Sequence, residues 1–169
     1  IGSRNISSPN QLKKLIRDLK QFSNKNDLLI SIDQEGGEVC RLKSVYGFNE
    51  TPSWKKVGLF NNDLITQQFS DRLAEELSDL GINLNFAPVL DLDYGEKTVI
   101  GNSQRAFCSD PKLLTKHAEI FFHQVLKVNE KCKLYMTNSW ITRHGRNDHT
   151  QVHRHSNSVL TAIYYFKNT

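Results

Sequence analysis

The sequence predicts an α/β fold built from parallel βαβ units, and three observations carry that reading. Apolar residues recur at helical spacing in three stretches, and short apolar runs without a helical period lie among them. The boundaries carry capping and turn residues. An order of helix, strand, helix, strand, helix is that of parallel strands joined by crossover helices. Two architectures satisfy it: an open doubly wound sheet and a (β/α)8 barrel. A complete barrel takes about 250 residues, so 169 residues would hold roughly three of its eight units.

Ser8 and Pro9 mark the first helix start, as an N-cap followed by proline at the first helical position. Leu12, Leu15, Ile16, Leu19 and Phe22 then form a helical stripe. The run Leu28 to Ile32, bounded by Asn26-Asp27 and Gly36-Gly37, reads as a buried strand. A long connection is expected from about Asp33 to Asn62, with Gly36, Gly37, Gly47, Pro52 and Gly58 in it; loops of that length are usually functional or disordered. Ile65, Phe69, Leu73, Leu77 and Leu80 mark the second helix, which Gly81 is suited to end. Leu84 to Leu90 reads as the second strand, with Pro88 pointing to a strand end or an irregular position. After another loop, Asp110-Pro111 opens a third helix carrying Leu114, Ala118, Phe121, Val125 and Leu126. Lys133 to Thr137 is a candidate third strand, and from Asn138 onward no period is evident.

Composition narrows the function classes. Hydrophobic residues at 38% and charged residues at 24% suit a globular protein with a core, not a disordered or fibrous chain. No apolar run approaches the roughly 20 residues of a membrane span. The net charge of +4 gathers late, at Arg143, Arg146, Arg154 and Lys167. That excess reads as a solvated end, with no nucleic-acid partner expected. Cys40, Cys108 and Cys132 are an odd number at wide spacing, which fits reduced thiols and a cytoplasmic location. The start, Ile-Gly-Ser-Arg, suits a piece of a longer protein or a trimmed one.

Ligands of parallel α/β folds bind at the carboxyl ends of the strands. The first strand ends in Asp33-Gln34-Glu35-Gly36-Gly37 and the second in Asp91-Leu92-Asp93. Two acidic clusters at equivalent strand ends would face one pocket. There, carboxylates can accept hydrogen bonds from sugar hydroxyls, hold a metal, or act as acid and base. Taken singly, Asp33 and Glu35 would instead be ordinary loop polarity or helix caps.

The strings around these residues resemble the β-N-acetylhexosaminidase type of glycoside hydrolase family 3. Ile32 to Leu42, IDQEGGEVCRL, is similar to the family's IDQEGG-x-V-x-RL. Leu73 to Leu77 and Asn83 to Asp91 resemble AEEL and INLNFAPVLD. Ile100-Gly101, Arg105-Ala106-Phe107 and Ser109-Asp110-Pro111 follow in the family's order, and Pro52-Ser53 with Gly58 resembles the loop before the next helix. The resemblance spans about residues 4–128. It implies an α/β chain that is a partial (β/α)8 TIM barrel, with that barrel domain over residues 1–137 and a divergent tail over 138–169.

The resemblance also implies an activity: retaining hydrolysis of terminal β-linked N-acetylglucosamine, typically from peptidoglycan fragments, with neither metal nor other cofactor. It assigns substrate binding to Asp33, Arg41 and Arg105. An arginine fork suits such work because its donors are planar and permanently charged. Past Lys127 the match decays. Anchored on His144-Gly145, Ser139 and Trp140 stand where the family has Lys and His, and Thr142 and Arg143 where it has Pro and Gly. With one residue inserted, Gln151-Val152-His153 aligns with the loop bearing D-S/T-H. That makes His153 the acid/base candidate, with Asp148 as a stand-in for its aspartate orienter. His149 and His153, four apart, are a rival zinc pair. The family's nucleophilic aspartate has no counterpart before Thr169, so the chain alone is expected to be inactive, or to be an amino-sugar-binding remnant or the product of a degraded gene. Exposed barrel edges would also favour self-association.

Overall fold

The computed structural model describes residues 1–23 and 28–126. After a 3₁₀ turn at Ser3–Asn5, the chain forms helix α1 (Pro9–Ser23), strand β1 (Ser31–Ile32) and a second 3₁₀ turn at Ser44–Tyr46. Helices α2 (Trp54–Phe60) and α3 (Asp63–Leu80) lead to strand β2 (Leu84–Asn85), which is followed by α4 (Val99–Asn102) and α5 (Pro111–Leu126). The two strands are parallel, with Ser31 opposite Leu84 and Ile32 opposite Asn85. The segment between them carries α2 and α3, so β1 to β2 is a βαβ crossover.

The helix ends follow the chemistry of their sequences. The Gln11 backbone N–H donates to Ser8 Oγ at 3.2 Å, and Lys112 N–H to Asp110 Oδ1 at 2.8 Å, occupying donors that a first helical turn leaves orphaned. Gly81 closes α3 at φ 81°, in the left-handed region that costs glycine little, and its N–H returns to the carbonyls of Leu77 and Ser78. Lys20 Nζ donates to the Gly81 carbonyl at 2.7 Å, which pins α1 to the end of α3. Phe22, expected on the buried stripe, lies in the last turn of α1 and is 91% exposed.

Both strands are shorter than the apolar runs that announce them. Asparagine side chains take over where backbone pairing stops. Ile30 N–H donates to Asn83 Oδ1 at 2.7 Å, and Asn83 Nδ2 donates to the Leu28 carbonyl at 2.9 Å. One further backbone bond, Phe86 N–H to the Ile32 carbonyl at 3.0 Å, carries the pairing past β2. Beyond it Pro88 has no N–H to give, and no described strand lies alongside residues 87–90. The expected third strand at Lys133–Thr137 and the tail from 138 lie outside the described residues. Two described strands form a parallel α/β unit; they do not by themselves close a barrel.

The connection from Asp33 to Asn62 is not the unbroken loop expected. Ser53 accepts from Lys56 N–H at 3.2 Å and starts α2, which buries Trp54 and Val57. Seven residues are too few to set up a helical period, so the cap was its only local sign. The interval before Asp110 likewise holds the single turn of α4, capped by Thr98.

The core lies between the helices and the strands, with Trp54 at one focus. Its ring meets Phe107 at 4.6 Å, Phe121 at 5.6 Å and Phe69 at 5.9 Å between centroids. Such tilted and edge-on pairs add about 0.5–1.5 kcal/mol each beyond burial. Gly58 makes this packing feasible, because a β-carbon there would collide with the Phe107 carbonyl oxygen. No helix among the described residues is long and apolar enough to cross a membrane.

At the extensive α3–α5 interface, His117 is fully buried, stacks on Phe107 at 4.6 Å and shares a 2.7 Å hydrogen bond with Thr66 Oγ1. Loss of water holds its imidazole below the ordinary range; Asp63, 3.8 Å away, opposes that effect without cancelling it, and Lys116 adds to it. The unfolded chain therefore takes up the proton more readily than the folded one. This contribution is complete above an unfolded imidazole pKa of about 6.5 and is lost as pH falls below it. The melting temperature is expected to drop between pH 7 and pH 5, and thermal melts of His117→Gln to show a shallower slope over that window.

Candidate active site

The candidate site is the loop that leaves β1 and returns as Arg41. Gly36 and Gly37 have φ of 92° and 60°. A β-carbon on Gly36 would strike the Pro52 carbonyl, and one on Gly37 would lie 2.7 Å from Ser53 Cβ. Only glycine lets this turn press on residues 51–53, where Gly37 N–H donates to the Thr51 carbonyl at 3.0 Å. The turn then closes on itself, with the N–H groups of Glu35 and Gly36 both reaching the Val39 carbonyl.

Gln34 is the knot of the loop and is fully buried. Its Oε1 accepts from the backbone N–H groups of Arg41 at 2.8 Å and Leu42 at 3.0 Å. Its Nε2 donates to Thr51 Oγ1 at 3.0 Å and to Cys40 Sγ at 3.2 Å. Its own N–H donates to Asn85 Oδ1 at 3.0 Å, while Asn85 Nδ2 donates to its carbonyl at 3.1 Å. One side chain thus ties both limbs of the turn, and its backbone ties them to β2. Neither Gln34 nor Asn85 is marked as functional by the sequence, where the only signal is an amide next to an apolar strand.

This scaffold sets two ion pairs side by side. Arg41 Nη2 donates to Asp33 Oδ2 at 3.1 Å across the glycine turn. The Asp33 side chain remains 47% exposed at the strand end. Arg105 comes from the segment after α4, where its N–H is held by the Ile100 carbonyl at 3.1 Å. Its guanidinium grips Glu35 in two bonds of 2.8 Å, Nε to Oε2 and Nη2 to Oε1. Glu35 is the better anchor because it is buried, its side chain only 7% exposed. Asp33 and Asp91 lie close enough to act on the Arg105 charge as well. The hydrogen bonds to Glu35 are the main reason the guanidinium holds its proton above the usual arginine range.

Asp93 belongs to the framework. Lys55 of α2 pairs with it at 2.9 Å and Gly95 N–H donates to it at 2.8 Å. The Lys55 contact, then the Gly95 bond, hold its carboxyl below the usual range. Among the described residues, no group of three or more His, Cys, Asp or Glu side chains is arranged to hold a metal. His153, its proposed partner Asp148, and Ser139 and Trp140 lie outside the described residues, as does the His149–His153 pair.

The model for the glycosyl hydrolase family 3 N-terminal domain matches residues 1–156. The chain belongs to this family. A β-hexosaminidase from Hydrogenovibrio crunogenus is 40% identical over 120 residues, covering 68% of the chain and 32% of that protein. One from Neisseria meningitidis serogroup A is 38% identical over 122 residues with the same coverage. The chain thus spans about a third of the length of these curated relatives. Among solved structures, a family 3 β-N-acetylglucosaminidase from Paenibacillus superimposes with a TM-score of 0.68 at 32% identity, over 75% of the chain and 24% of that structure. NagZ from Neisseria gonorrhoeae, solved in complex with N-trifluoroacetyl-D-glucosamine, gives 0.66 at 31% identity, over 75% and 38%.

The loop geometry makes a direct prediction. Gln34→Leu is similar in size but leaves the partly buried N–H of Arg41 and the buried N–H of Leu42 without acceptors. Unpaired buried groups cost about 1–3 kcal/mol each. Chemical denaturation should therefore show a loss of several kcal/mol, with Arg41 backbone amide exchange accelerated well beyond that of α3.

Proposed function

We propose that this family 3 chain supplies the amino-sugar-binding part of a retaining β-N-acetylhexosaminidase, built as the first portion of a (β/α)8 barrel. The observation that carries the reading is the strand-end cluster. Asp33 stands half-exposed beside Arg41, with Arg105 converging from a distant loop. Sugars are recognised by such fixed sets of donors and acceptors. The NagZ relative's complex with a glucosamine derivative supports the sugar class. In this proposal Asp33 accepts from sugar hydroxyls and the two guanidiniums donate to ring substituents. His153 is the proposed acid/base group.

Hydrolysis with retention needs two positioned groups about the scissile bond. Both Asp33 and Glu35 are already engaged by guanidiniums, which suits binding better than proton transfer. A second reading follows from Ser139 and Trp140 standing where the family has Lys and His: a module that holds amino sugars without cleaving them. Two assays separate the readings. Titrating the isotope-labelled chain with N-acetylglucosamine should shift resonances around residues 33–41. Asp33→Ala should weaken that binding roughly 10- to 150-fold, as expected for losing about 1.5–3 kcal/mol of charged hydrogen bonding. Equal shifts in both proteins would sink the sugar-binding reading. Chromophore release from an aryl β-N-acetylglucosaminide, abolished by His153→Ala, would establish hydrolysis by this chain; binding without release would leave the module.

A further inference from the structure

We propose that Glu35 is the positioning and specificity residue of this cluster, holding Arg105 by one edge and cancelling the charge that would otherwise draw an anionic ligand. The inference rests on the amino-sugar reading above and adds a residue to which that reading gives no part. Glu35 engages Nε and one hydrogen of Nη2. Arg105 makes no other side-chain hydrogen bond among the described residues. Its side chain is a quarter exposed, and in this proposal its Nη1 hydrogens and the second Nη2 hydrogen are the edge offered to a ligand. A guanidinium held by two parallel bonds cannot swing about its long stem, so that edge is fixed before any ligand arrives.

The same pairing sets the charge of the pocket. Arg41 is matched by Asp33 and Arg105 by Glu35, while Asp91 also acts on Arg105. Lys55 of α2 is committed to Asp93. Among the described residues, each of the two guanidiniums is thus matched by a carboxylate of its own. Such a site offers strong hydrogen-bond donors without net positive charge. It fits hydroxyl and amide oxygens, and it disfavours a phosphate or carboxylate group through repulsion by the surrounding carboxylates. Selectivity for the uncharged amino sugar over its phosphate ester then comes from Glu35, a residue that need not touch the sugar.

The test uses the full chain with labelled arginine side chains. N-acetylglucosamine and N-acetylglucosamine 6-phosphate are titrated into wild type, Glu35→Gln, Glu35→Asp and Arg105→Lys. In Glu35→Gln the Arg105 Nε–H resonance should move, and affinity for the neutral sugar should fall by about tenfold or more. The ratio of phosphate-ester to neutral-sugar affinity should rise by a similar factor, which a general loosening of the fold would not produce. Glu35→Asp keeps the charge but shortens the reach. It should lose neutral-sugar affinity without gaining any preference for the phosphate, and it keeps the question answerable should the glutamine variant fail to fold. Combining Glu35→Gln with Arg105→Lys should add little to Arg105→Lys alone. Wild-type affinity and wild-type selectivity in Glu35→Gln would overturn the inference while leaving the amino-sugar reading in place. A wild-type chain that binds neither sugar would overturn both.

Discussion

Everything at the strand end depends on one buried amide. Gln34 has no contact with water, so each of its polar atoms must find a partner within the protein. It satisfies that demand by binding the backbone of Arg41 and Leu42 on one side and Thr51 on the other. The loop has little freedom once this is done. The glycines at 36 and 37 supply the turn, residues 51–53 supply the surface it rests on, and Asn85 joins it to the second strand. Asp33 and Arg41 face each other because the residue between Asp33 and Glu35 is fastened, with only a modest ion pair between half-exposed groups needed in addition.

A similar economy appears in the sheet. The described ladder is two residues long in each strand, yet Asn83 and Asn85 extend it at both ends by imitating backbone groups. Being two apart, they can reach the neighbouring chain from the same edge of β2. This lets the first strand begin and end irregularly, which a site needs, without stranding its buried N–H and carbonyl groups. It also fixes the register, because a slip by one residue would misplace both amides at once.

The sequence made the elements legible wherever the cause was local. Ser8, Asp110 and Gly81 cap their helices as their chemistry demands, and the apolar runs mark where the strands lie. Asp33 and Arg41 are only eight apart across a glycine turn, so their pairing too has a local cause. What escaped was set by distance or by shortness. Glu35 and Arg105 are 70 positions apart, and no local pattern tells a guanidinium which of two nearby carboxylates is the more deeply buried. Helix α2 is too short to show a period, and strand length depends on what lies alongside, which the strand's own residues do not encode. The family strings supplied the site as a set of residues, whereas the pairing within it required coordinates.

The aromatic cage around Trp54 has an optical consequence. Its indole is buried among phenylalanine rings, and its N–H has no hydrogen-bond partner among the described residues. Among the described residues such an indole meets phenylalanine rings and no polar partner, surroundings that place its emission toward the blue. The only other tryptophan is Trp140. With that residue replaced by phenylalanine, the chain would carry a single native fluorophore at the meeting point of α2, α3 and α5. Its colour would report whether these helices remain packed, independently of any ligand at the strand end.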